Sequence, residues 1–323
     1  MAAASDVLVV GDLNPDLLVS GDDLSPRWGQ AERDAEMRLV LGGSAGICAA
    51  GTARIGLRTA LAATVGDDDF GTAAQRMLAE RGVALDAIRV LAGRATGLSI
   101  HLLAGGDRAI YTERGAIVEL TADDAIAALR ATAPRHVHLA ALYLLPALAR
   151  DGGRVLDAAH AAGATVSVDT NFDPAERFGR PPWLTRADVL LPNETEALRL
   201  TGQASLDAAA QELARDGALV AVKRGAHGAF AIRGRERAEI ALASGGDARQ
   251  AAAGDGATVV DAVGAGDSFD AGAVRGLLDG RTLRELLALG CAAGTLSTRA
   301  AGGTAAQATL TEADTLAKEL LAR

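Results

Sequence analysis

The sequence has little lysine, few aromatic residues and no strongly basic segment. Its only lysines are Lys223 and Lys318, aromatic residues make up 3% of the 323 residues, and the formal net charge is −9. A binder of duplex nucleic acid or of anionic membranes normally carries a basic stripe, and a single-strand binder carries stacking aromatics. The composition argues against these classes, so any bound anion must be held by local geometry.

Cysteine, metal-site histidine patterns and long apolar stretches are scarce as well. Cys48 and Cys291 have no spacing typical of a disulfide framework or a metal site, so we predict two buried free thiols in a reducing compartment. The five histidines also lack metal-site spacing, and we interpret His136 and His138 as structural. The beginning of the chain, MAAASDVLVVGD, lacks the basic segment of a signal peptide, and no apolar stretch is long enough for a membrane span. These features predict a cytoplasmic protein.

The sequence does have a regular alternation of short β-branched segments with helical segments rich in Ala and Leu. We predict strands in VLVV (7–10), HVHLA, ATVSVDT, ADVLLPN and ALVAVKRG. Between them lie helical segments such as GTAAQRMLAERG, for which we predict Thr72 as the cap and Gly82 as the end. This alternation predicts an α/β fold, in which helices cover both faces of a mainly parallel sheet.

Two regions, 12–40 and 95–115, lack long helical segments. The second contains two β-rich segments on either side of a GGD turn, which predicts a hairpin. We predict that both regions form a small β-sheet that projects from a single domain of residues 1–323. The stretch ASGGDARQAAAGDG (243–256) is predicted to be a loop.

Polar clusters directly follow several predicted strands. They contain Asp12, Asn14 and Asp16; Asp169, Asn171 and Asp173; Asn193, Glu194 and Glu196; Lys223 and Gly225; and Asp267, which follows a further strand expected in VVDAV. In an open parallel sheet, ligands bind at the carboxyl ends of the strands, so we expect these clusters along one edge. Each has an ordinary structural alternative: Asp267 as a helix cap, Asn193 as a turn residue, and Lys223 as a solvated strand end.

The stretch DAVGAGDSFDAG (261–272) is the most specific of these clusters. Gly264 and Gly266 allow the N–H groups around Ala265 to point into one concavity at a helix N-terminus, which favours an anion such as phosphate. Asp267 would repel that phosphate unless it accepts the proton of an attacking hydroxyl, so the cluster predicts phosphoryl transfer. The sequence has no GxxxxGK[ST] motif and no GxGxxG after its first strand, which argues against a P-loop NTPase and a dinucleotide enzyme.

With these motifs, the sequence resembles the ribokinase-like carbohydrate kinases of the PfkB family over nearly its whole length. VVDAVGAGDSFDAGAV resembles the C-terminal motif of that family, and LGGSAGICAAGTARIG with ATVGDDDFG resembles its N-terminal motif. PNETE carries the N-x-x-E of the family, KRGAHGAF resembles its nucleotide-contacting strand and turn, and GDLNPD resembles its sugar-contacting segment. The resemblance implies a ribokinase-like three-layer α/β/α fold with a small β-sheet lid.

The resemblance also implies roles for particular residues. Asp267 is implied as the catalytic base, and the backbone of Gly264, Ala265, Gly266 and Asp267 as the anion hole. Asn193 and Glu196 are implied to organise Mg²⁺ through its waters; the implied nucleotide contacts are Asn193, Lys223, Gly225 and Gly228, and the implied substrate contacts are Asn14, Asp16, Gly42 and Gly43. Potassium beside residues 261–263 and a homodimer formed through the lid are implied too.

The chain departs from the family pattern at two positions near the substrate. Ile47 stands where the family usually has Asn, and Asp173 stands where several members that act on sugar acids and fructose have Arg. The second departure weighs against an anionic sugar. We expect an ATP-dependent, Mg²⁺-requiring kinase that phosphorylates a primary hydroxyl of a small ribose- or fructose-type carbohydrate. A nucleoside kinase of the same family, with Tyr111 against the base, and a sugar-binding regulator without catalysis are the alternatives.

Overall fold

The computed structural model describes residues 5–29, 32–104, 107–242 and 259–323. Two sequence predictions fall outside the described residues: the glycines of the GGD hairpin turn, and the loop at 243–256. No helix in the described part of the chain is long and apolar enough to cross a membrane.

Nine strands form the central sheet, in the order β13-β12-β11-β10-β9-β8-β1-β4-β5. The strands pair in parallel except β12 and β13, which run antiparallel to their neighbours at one edge. Their bounds are β1 Val7–Val10, β4 Thr59–Gly66, β5 Ile88–Leu91, β8 His136–Leu139, β9 Thr165–Val168, β10 Val189–Leu190, β11 Leu219–Lys223, β12 Ala229–Arg233 and β13 Glu236–Ile240.

Helices pack on both faces of this sheet, because successive side chains of a strand point to opposite sides. In β1, Val7 and Val9 belong to one buried apolar cluster, whereas Leu8 and Val10 belong to the other. The helices are α1 Ser44–Arg54, α2 Asp69–Ala79, α3 Ala122–Thr132, α4 Pro146–Ala161, α5 Glu194–Thr201, α6 Leu206–Leu213, α7 Ala265–Leu278, α8 Leu283–Ser297 and α9 Leu310–Ala322. The predicted three-layer α/β/α arrangement is confirmed.

The second sheet is small and has four strands, in the order β3-β2-β6-β7. They are β2 Asn14–Ser20, β3 Glu36–Gly42, β6 Leu98–Ala104 and β7 Asp107–Glu113, and β6 pairs antiparallel with β7. The smaller sheet expected from the sequence is therefore present, and we call these four strands the lid sheet. Its action as a lid stays a prediction.

Two details of the sequence analysis are wrong. Helix α2 is capped by Asp68 rather than Thr72, because the Asp68 carboxylate accepts a hydrogen bond from the Gly71 N–H at 2.9 Å, and α2 ends at Ala79. The segment VVDAV (259–263) forms no strand, because the N–H groups of Val260 and Asp261 donate to the Thr298 carbonyl after α8.

Candidate active site

The glycine turn before helix α7 holds Asp267 in the first turn of that helix. Gly264 adopts φ +71°, and a Cβ atom on it would lie 2.7 Å from the Cα of Gly303, so only glycine fits. The N–H of Ala265 donates to the Ala262 carbonyl, whereas Gly266 and Asp267 precede the first helical hydrogen bond of α7. Two backbone N–H groups and the positive end of the helix dipole are therefore available to an anion.

The Asp267 carboxyl is buried among other acidic groups. It is 8% exposed. Burial, together with the nearby carboxylates of Asp169 and Asp12, raises the pKa of Asp267 well above its usual range, while Lys223 opposes the rise. Asn171 is the one residue in the described chain whose side chain makes a hydrogen-bond contact with this carboxyl, with its Nδ2 3.5 Å from Oδ1. A carboxyl with a raised pKa and few donors is well suited to accept a proton.

Lys223, at the end of β11, belongs to a buried ion cluster on the interior side of the glycine turn. Its Nζ is 2.5 Å from Asp169 Oδ2 and 3.1 Å from Asp270 Oδ1. Burial acts against the charged form of Lys223, but the two carboxylates outweigh it and raise the pKa of the ammonium. Oxygens of Asp169, Asp267 and Asp270 lie within 4.8 Å of one another. Since the Lys223 ammonium already contacts the oxygens of Asp169 and Asp270, we do not assign a metal to this group.

Asn193 and Glu196 form a reciprocal cap at the start of helix α5. The Asn193 side chain accepts from the Glu196 N–H at 2.9 Å, and Glu196 accepts from the Asn193 N–H at 2.8 Å and from Nδ2 at 2.6 Å. The structural alternative expected for Asn193 was a turn residue, and the structure shows a capping box instead. Burial and the Asp169 carboxylate raise the pKa of Glu196 to about 7.

Glu196 fits the expectation of a magnesium site, because it is a buried oxygen donor close to a second carboxylate, that of Asp169. Its carboxylate is 3% exposed, and each oxygen keeps a lone pair beyond its bond to Asn193. Mg²⁺ in phosphoryl-transfer sites binds one or two carboxylates and retains several waters. A bound cation would favour the ionised form of Glu196.

Gly225 and Gly228 follow β11 in the turn that leads into β12. Both have positive φ, +54° at Gly225 and +90° at Gly228. A Cβ atom on Gly228 would lie 2.0 Å from the Ile240 carbonyl oxygen, whereas the space around Gly225 is open. The backbones of Asn193 and Lys223 form an isolated parallel β-bridge beside this turn. The predicted nucleotide-contacting residues therefore lie together at the carboxyl ends of β10 and β11.

The predicted substrate contacts meet where the chain passes from β1 of the central sheet to β2 of the lid sheet. Asn14 is the register partner of Gly42, and Asn14 Nδ2 donates to Asp16 Oδ1 at 2.8 Å. A Cβ atom on Gly42 would lie 2.0 Å from Asp16 Oδ1, and a Cβ atom on Gly43, at φ +77°, would lie 2.8 Å from the Asp12 carbonyl oxygen. Asp16 is 4% exposed. The glycines thus let this carboxylate pack directly against the backbone.

Two lid-sheet residues that the sequence analysis did not identify complete this polar cluster. Ser99 pairs in register with Asp16, and His101 Nε2 lies 3.2 Å from Asp16 Oδ2. The Ser99 hydroxyl lies 3.0 Å from that of Thr112. Alternate polar residues in LSIHLL are the only sequence signal for them, and that signal has meaning only once the strand register is known.

Helix α1 lies between the polar cluster around Asp16 and the glycine turn. Its first N–H groups, from Ser44 and Ala45, donate to the Asp12 carboxylate at 3.1 and 2.9 Å, and burial raises the pKa of Asp12 to about 6. One turn further on, Ile47 packs against Gly264 and Gly303. Ile47, which stands where the family usually has Asn, therefore places an apolar side chain against the glycine turn.

Several polar residues of the sequence analysis have structural partners instead. The Asp173 carboxylate accepts from the N–H groups of Ala175, Arg177 and Phe178 at 2.8–2.9 Å, so it shapes its own loop. His136 and His138 are fully buried and contact the hydroxyls of Thr165 and Ser167, which confirms their structural role. Cys48 and Cys291 are free and buried, as predicted.

Comparison with known proteins was made by sequence and by structure. The pfkB family carbohydrate kinase profile matches residues 4–310. An ATP-dependent ribose-1-phosphate kinase of Halopiger xanaduensis is 30% identical over 284 residues, which cover 87% of this chain and 88% of that protein. The ribokinase of Arabidopsis thaliana, solved with ribose and ATP, superposes with a TM-score of 0.79 at 26% identity and covers 98% of this chain and 99% of its own.

A further solved structure, from E. coli in complex with ATP and Mg²⁺, has a TM-score of 0.80 at 21% identity, with 98% of this chain and 99% of that chain covered. At that identity the likeness concerns the fold. The profile match extends over nearly the whole chain and includes the glycine turn and the Asn193–Glu196 cap. The chain therefore belongs to the PfkB family of carbohydrate kinases and is a phosphotransferase.

Proposed function

We propose that this protein transfers the γ-phosphoryl group of ATP to a primary hydroxyl of a small ribose- or fructose-type sugar, with Asp267 as the general base. The observation that carries the proposal is the position of Asp267, a buried carboxyl with a raised pKa beside two free backbone N–H groups. A base and an anion hole on one helical turn are the protein groups that this reaction requires.

The hydroxyl oxygen of the sugar attacks the γ-phosphorus, the bond from that phosphorus to the bridging oxygen of ADP breaks, and the hydroxyl proton passes to Asp267. The N–H groups of Gly266 and Asp267 donate to the transferring phosphoryl group, supported by the dipole of α7. Gly264 and Ala265 shape the turn that aims these donors.

For the nucleotide, we propose contacts from Asn193 and from the turn at Gly225 and Gly228. Glu196 and Asn193 would hold Mg²⁺ through its waters, and the ion would supply positive charge to the phosphates. A potassium ion beside residues 261–263 is part of the proposal. There the Asp261 carboxylate already accepts from the N–H groups of Val263 and Gly302, at 2.9 Å each.

For the sugar, we propose that Asn14 and Asp16 bind hydroxyl groups, over the backbone of Gly42 and Gly43. Their position at the junction of the two sheets supports this, because closure of the lid sheet would exclude water there and limit ATP hydrolysis. Relatives named ribokinase, fructokinase and ribose-1-phosphate kinase support a sugar as the acceptor. Since Asp173 binds its own loop, the structure adds no cationic side chain at that position for an anionic sugar.

The alternatives are less well supported. Tyr111, the aromatic residue considered for a nucleoside base, is 64% exposed and pairs in register with Ile100. It therefore lies on the opposite face of the lid sheet from Asp16, whose register partner is Ser99. A regulator without catalysis would not need Asp267 and the Asn193–Glu196 pair together.

The face of the lid sheet that carries Tyr111 supports the proposal of a homodimer formed through the lid. Met37 and Leu39 on β3, and Tyr111 on β7, are 65%, 40% and 64% exposed on this face. An exposed apolar sheet face normally marks an interaction surface. We propose that the dimer works in the cytoplasm, where Cys48 and Cys291 would remain reduced.

A coupled assay of ADP formation tests the proposed function. We expect ATP- and Mg²⁺-dependent turnover with at least one sugar in a panel of ribose, fructose, deoxyribose, ribose 1-phosphate, 2-dehydro-3-deoxygluconate and adenosine. Phosphorylation of ribose or fructose would support the proposal, whereas turnover with adenosine alone would favour a nucleoside kinase. Sugar binding without turnover, seen as a rise in Tm, would indicate a regulator.

A further inference from the structure

Lys223 has contacts that a nucleotide-binding role does not explain. Its side chain is 10% exposed, and its ammonium contacts Asp169 at 2.5 Å and Asp270 at 3.1 Å. A lysine ammonium has three donors, and the carboxylates of Asp169 and Asp270 accept hydrogen bonds from them on the interior side of the glycine turn. The Cβ position of Gly266 lies 3.6 Å from Nζ, so the lysine supports this turn from inside the protein.

Asp169 contacts both Lys223 and Asn171, so the position of one residue affects that of the other. Its Oδ1 accepts from the Asn171 N–H at 3.1 Å, and its Oδ2 accepts from the Asn171 Nδ2 at 3.2 Å. Asp169 is 1% exposed, and the charge of Lys223 keeps it a strong acceptor. Asp169 therefore restrains both the backbone and the side chain of Asn171.

Asn171 is fixed from its other side as well. Its Oδ1 accepts from the Ala141 N–H at 2.6 Å, and its backbone adopts φ +55°, a left-handed conformation that Asn tolerates better than most residues. These contacts also determine which end of the amide carries the oxygen. The Nδ2 group must then face Asp267, whose Oδ1 lies 3.5 Å away.

We propose that Lys223 is a positioning residue for the catalytic base: it fixes Asp169, and Asp169 orients Asn171 against Asp267. The long Asn171–Asp267 contact orients the carboxyl without a short hydrogen bond that would compete for the incoming proton. This inference rests on the proposed function, in which Asp267 is the base. It assigns Lys223 to the phosphoryl-transfer step and not to ATP binding.

A double-mutant cycle of Lys223→Met and Asn171→Gly tests the proposal. Glycine keeps the left-handed backbone and removes the amide. We expect each single variant to lose about tenfold to a hundredfold in kcat, as for a mispositioned catalytic group, with KM for ATP within about twofold of the wild type. The double variant should be no slower than the slower single variant, because both substitutions break the same chain of contacts. Lys318→Met, the other lysine and an exposed one, is the control and should match the wild type.

Two results would overturn the proposal. A higher KM for ATP with unchanged kcat in Lys223→Met would make Lys223 a nucleotide contact, and losses that multiply in the double variant would make the two residues independent. If Lys223→Met does not fold, Asp169→Asn takes its place in the cycle, because it removes only the charge. In the cycle, kcat of each variant is measured with the sugar that the wild type phosphorylates and also for ATP hydrolysis without sugar. An inactive sugar panel would thus contradict the proposed function and leave the cycle readable.

Discussion

The imidazole of His101 lies 3.2 Å from the carboxylate of Asp16, across two neighbouring parallel strands of the lid sheet. Asn14 donates to the other oxygen of Asp16, at 2.8 Å. Asp16 thus has one protein partner on each oxygen and can still accept from sugar hydroxyls. Asp16 is held in place by two segments of the chain, β2 and β6, which lie before and after strand β4 in the sequence.

The first prediction concerns Asp16. Asp16→Asn should raise KM for the sugar about tenfold or more, because it replaces one acceptor oxygen with a donor and removes charge-assisted hydrogen bonds of about 1.5–3 kcal/mol each. KM for ATP should stay near the wild-type value. The measurement is steady-state kinetics of both substrates with a thermal midpoint. Asp22→Asn, an exposed acid just beyond β2, is the control. A lower Tm with an unchanged sugar KM would show that Asp16 is structural.

The second prediction concerns Asp267. Asp267→Asn should keep the fold and lower kcat about 10²–10⁴-fold, which is the usual contribution of a general base. Binding of ATP, measured by calorimetry, should persist. Asp69→Asn changes an exposed acid in the first turn of α2 and controls for the loss of a favourable helix-dipole charge. Near-normal kcat in Asp267→Asn would remove Asp267 from the mechanism.

The third prediction concerns Glu196 and magnesium. Glu196→Gln should raise the Mg²⁺ concentration for half-maximal activity several-fold and leave the sugar KM nearly unchanged, because Gln keeps the cap and loses the charge. Glu285→Gln is a matched control, since Glu285 occupies the same position in the exposed capping box of α8. Titrations of MgCl₂ at saturating ATP measure the effect. A changed sugar KM at constant Mg²⁺ dependence would place Glu196 in the sugar site instead.

The fourth prediction is a loss of stability in acid caused by His136 and His138. Burial lowers the pKa of His136 to about 3 and, against the attraction of Asp169, that of His138 to about 4. The unfolded chain, with pKa near 6.5, binds more protons than the folded protein between about pH 6.5 and 4. The contribution of these two histidines to the free energy of unfolding should therefore fall as the pH falls through this range, by up to about 1.4 kcal/mol per pH unit for each histidine, while the raised pKa values of Asp12 and Glu196 act in the opposite direction.

Urea unfolding at pH 7.5, 6, 5 and 4.5 measures this slope. The triple variant His136→Val, His138→Val and Ser167→Ala removes the buried hydrogen-bonded group as a whole, so the stability of the wild type should fall relative to that of the variant as the pH falls. His227→Gln, an exposed histidine after β11, should leave the slope unchanged. An equal slope in the triple variant would mean that other groups control the acid sensitivity.

Much of the fold and part of the site could be predicted because their signals are local. Strand β1, the alternation of strands with helices, and the glycine turn with Asp267 depend on residues close together in the sequence. The cap of α2 was misplaced, because Asp68 and Thr72 are both good capping residues and only the backbone geometry chooses between them. The strand expected in VVDAV is absent from the described residues, because that segment pairs with the end of α8.

What the sequence by itself determined is the chemistry available at each strand end: glycines that permit positive φ, a carboxyl on a helix N-terminus, and paired Asn193 and Glu196. Only the tertiary structure decided which of these groups meet. Lys223 reaches Asp169 across 54 positions and Asp270 across 47, and His101 reaches Asp16 through strand register. These contacts depend on sheet order and on burial, which raises the pKa of Asp267 and strengthens the ion pairs of Lys223, and neither is encoded within any short segment.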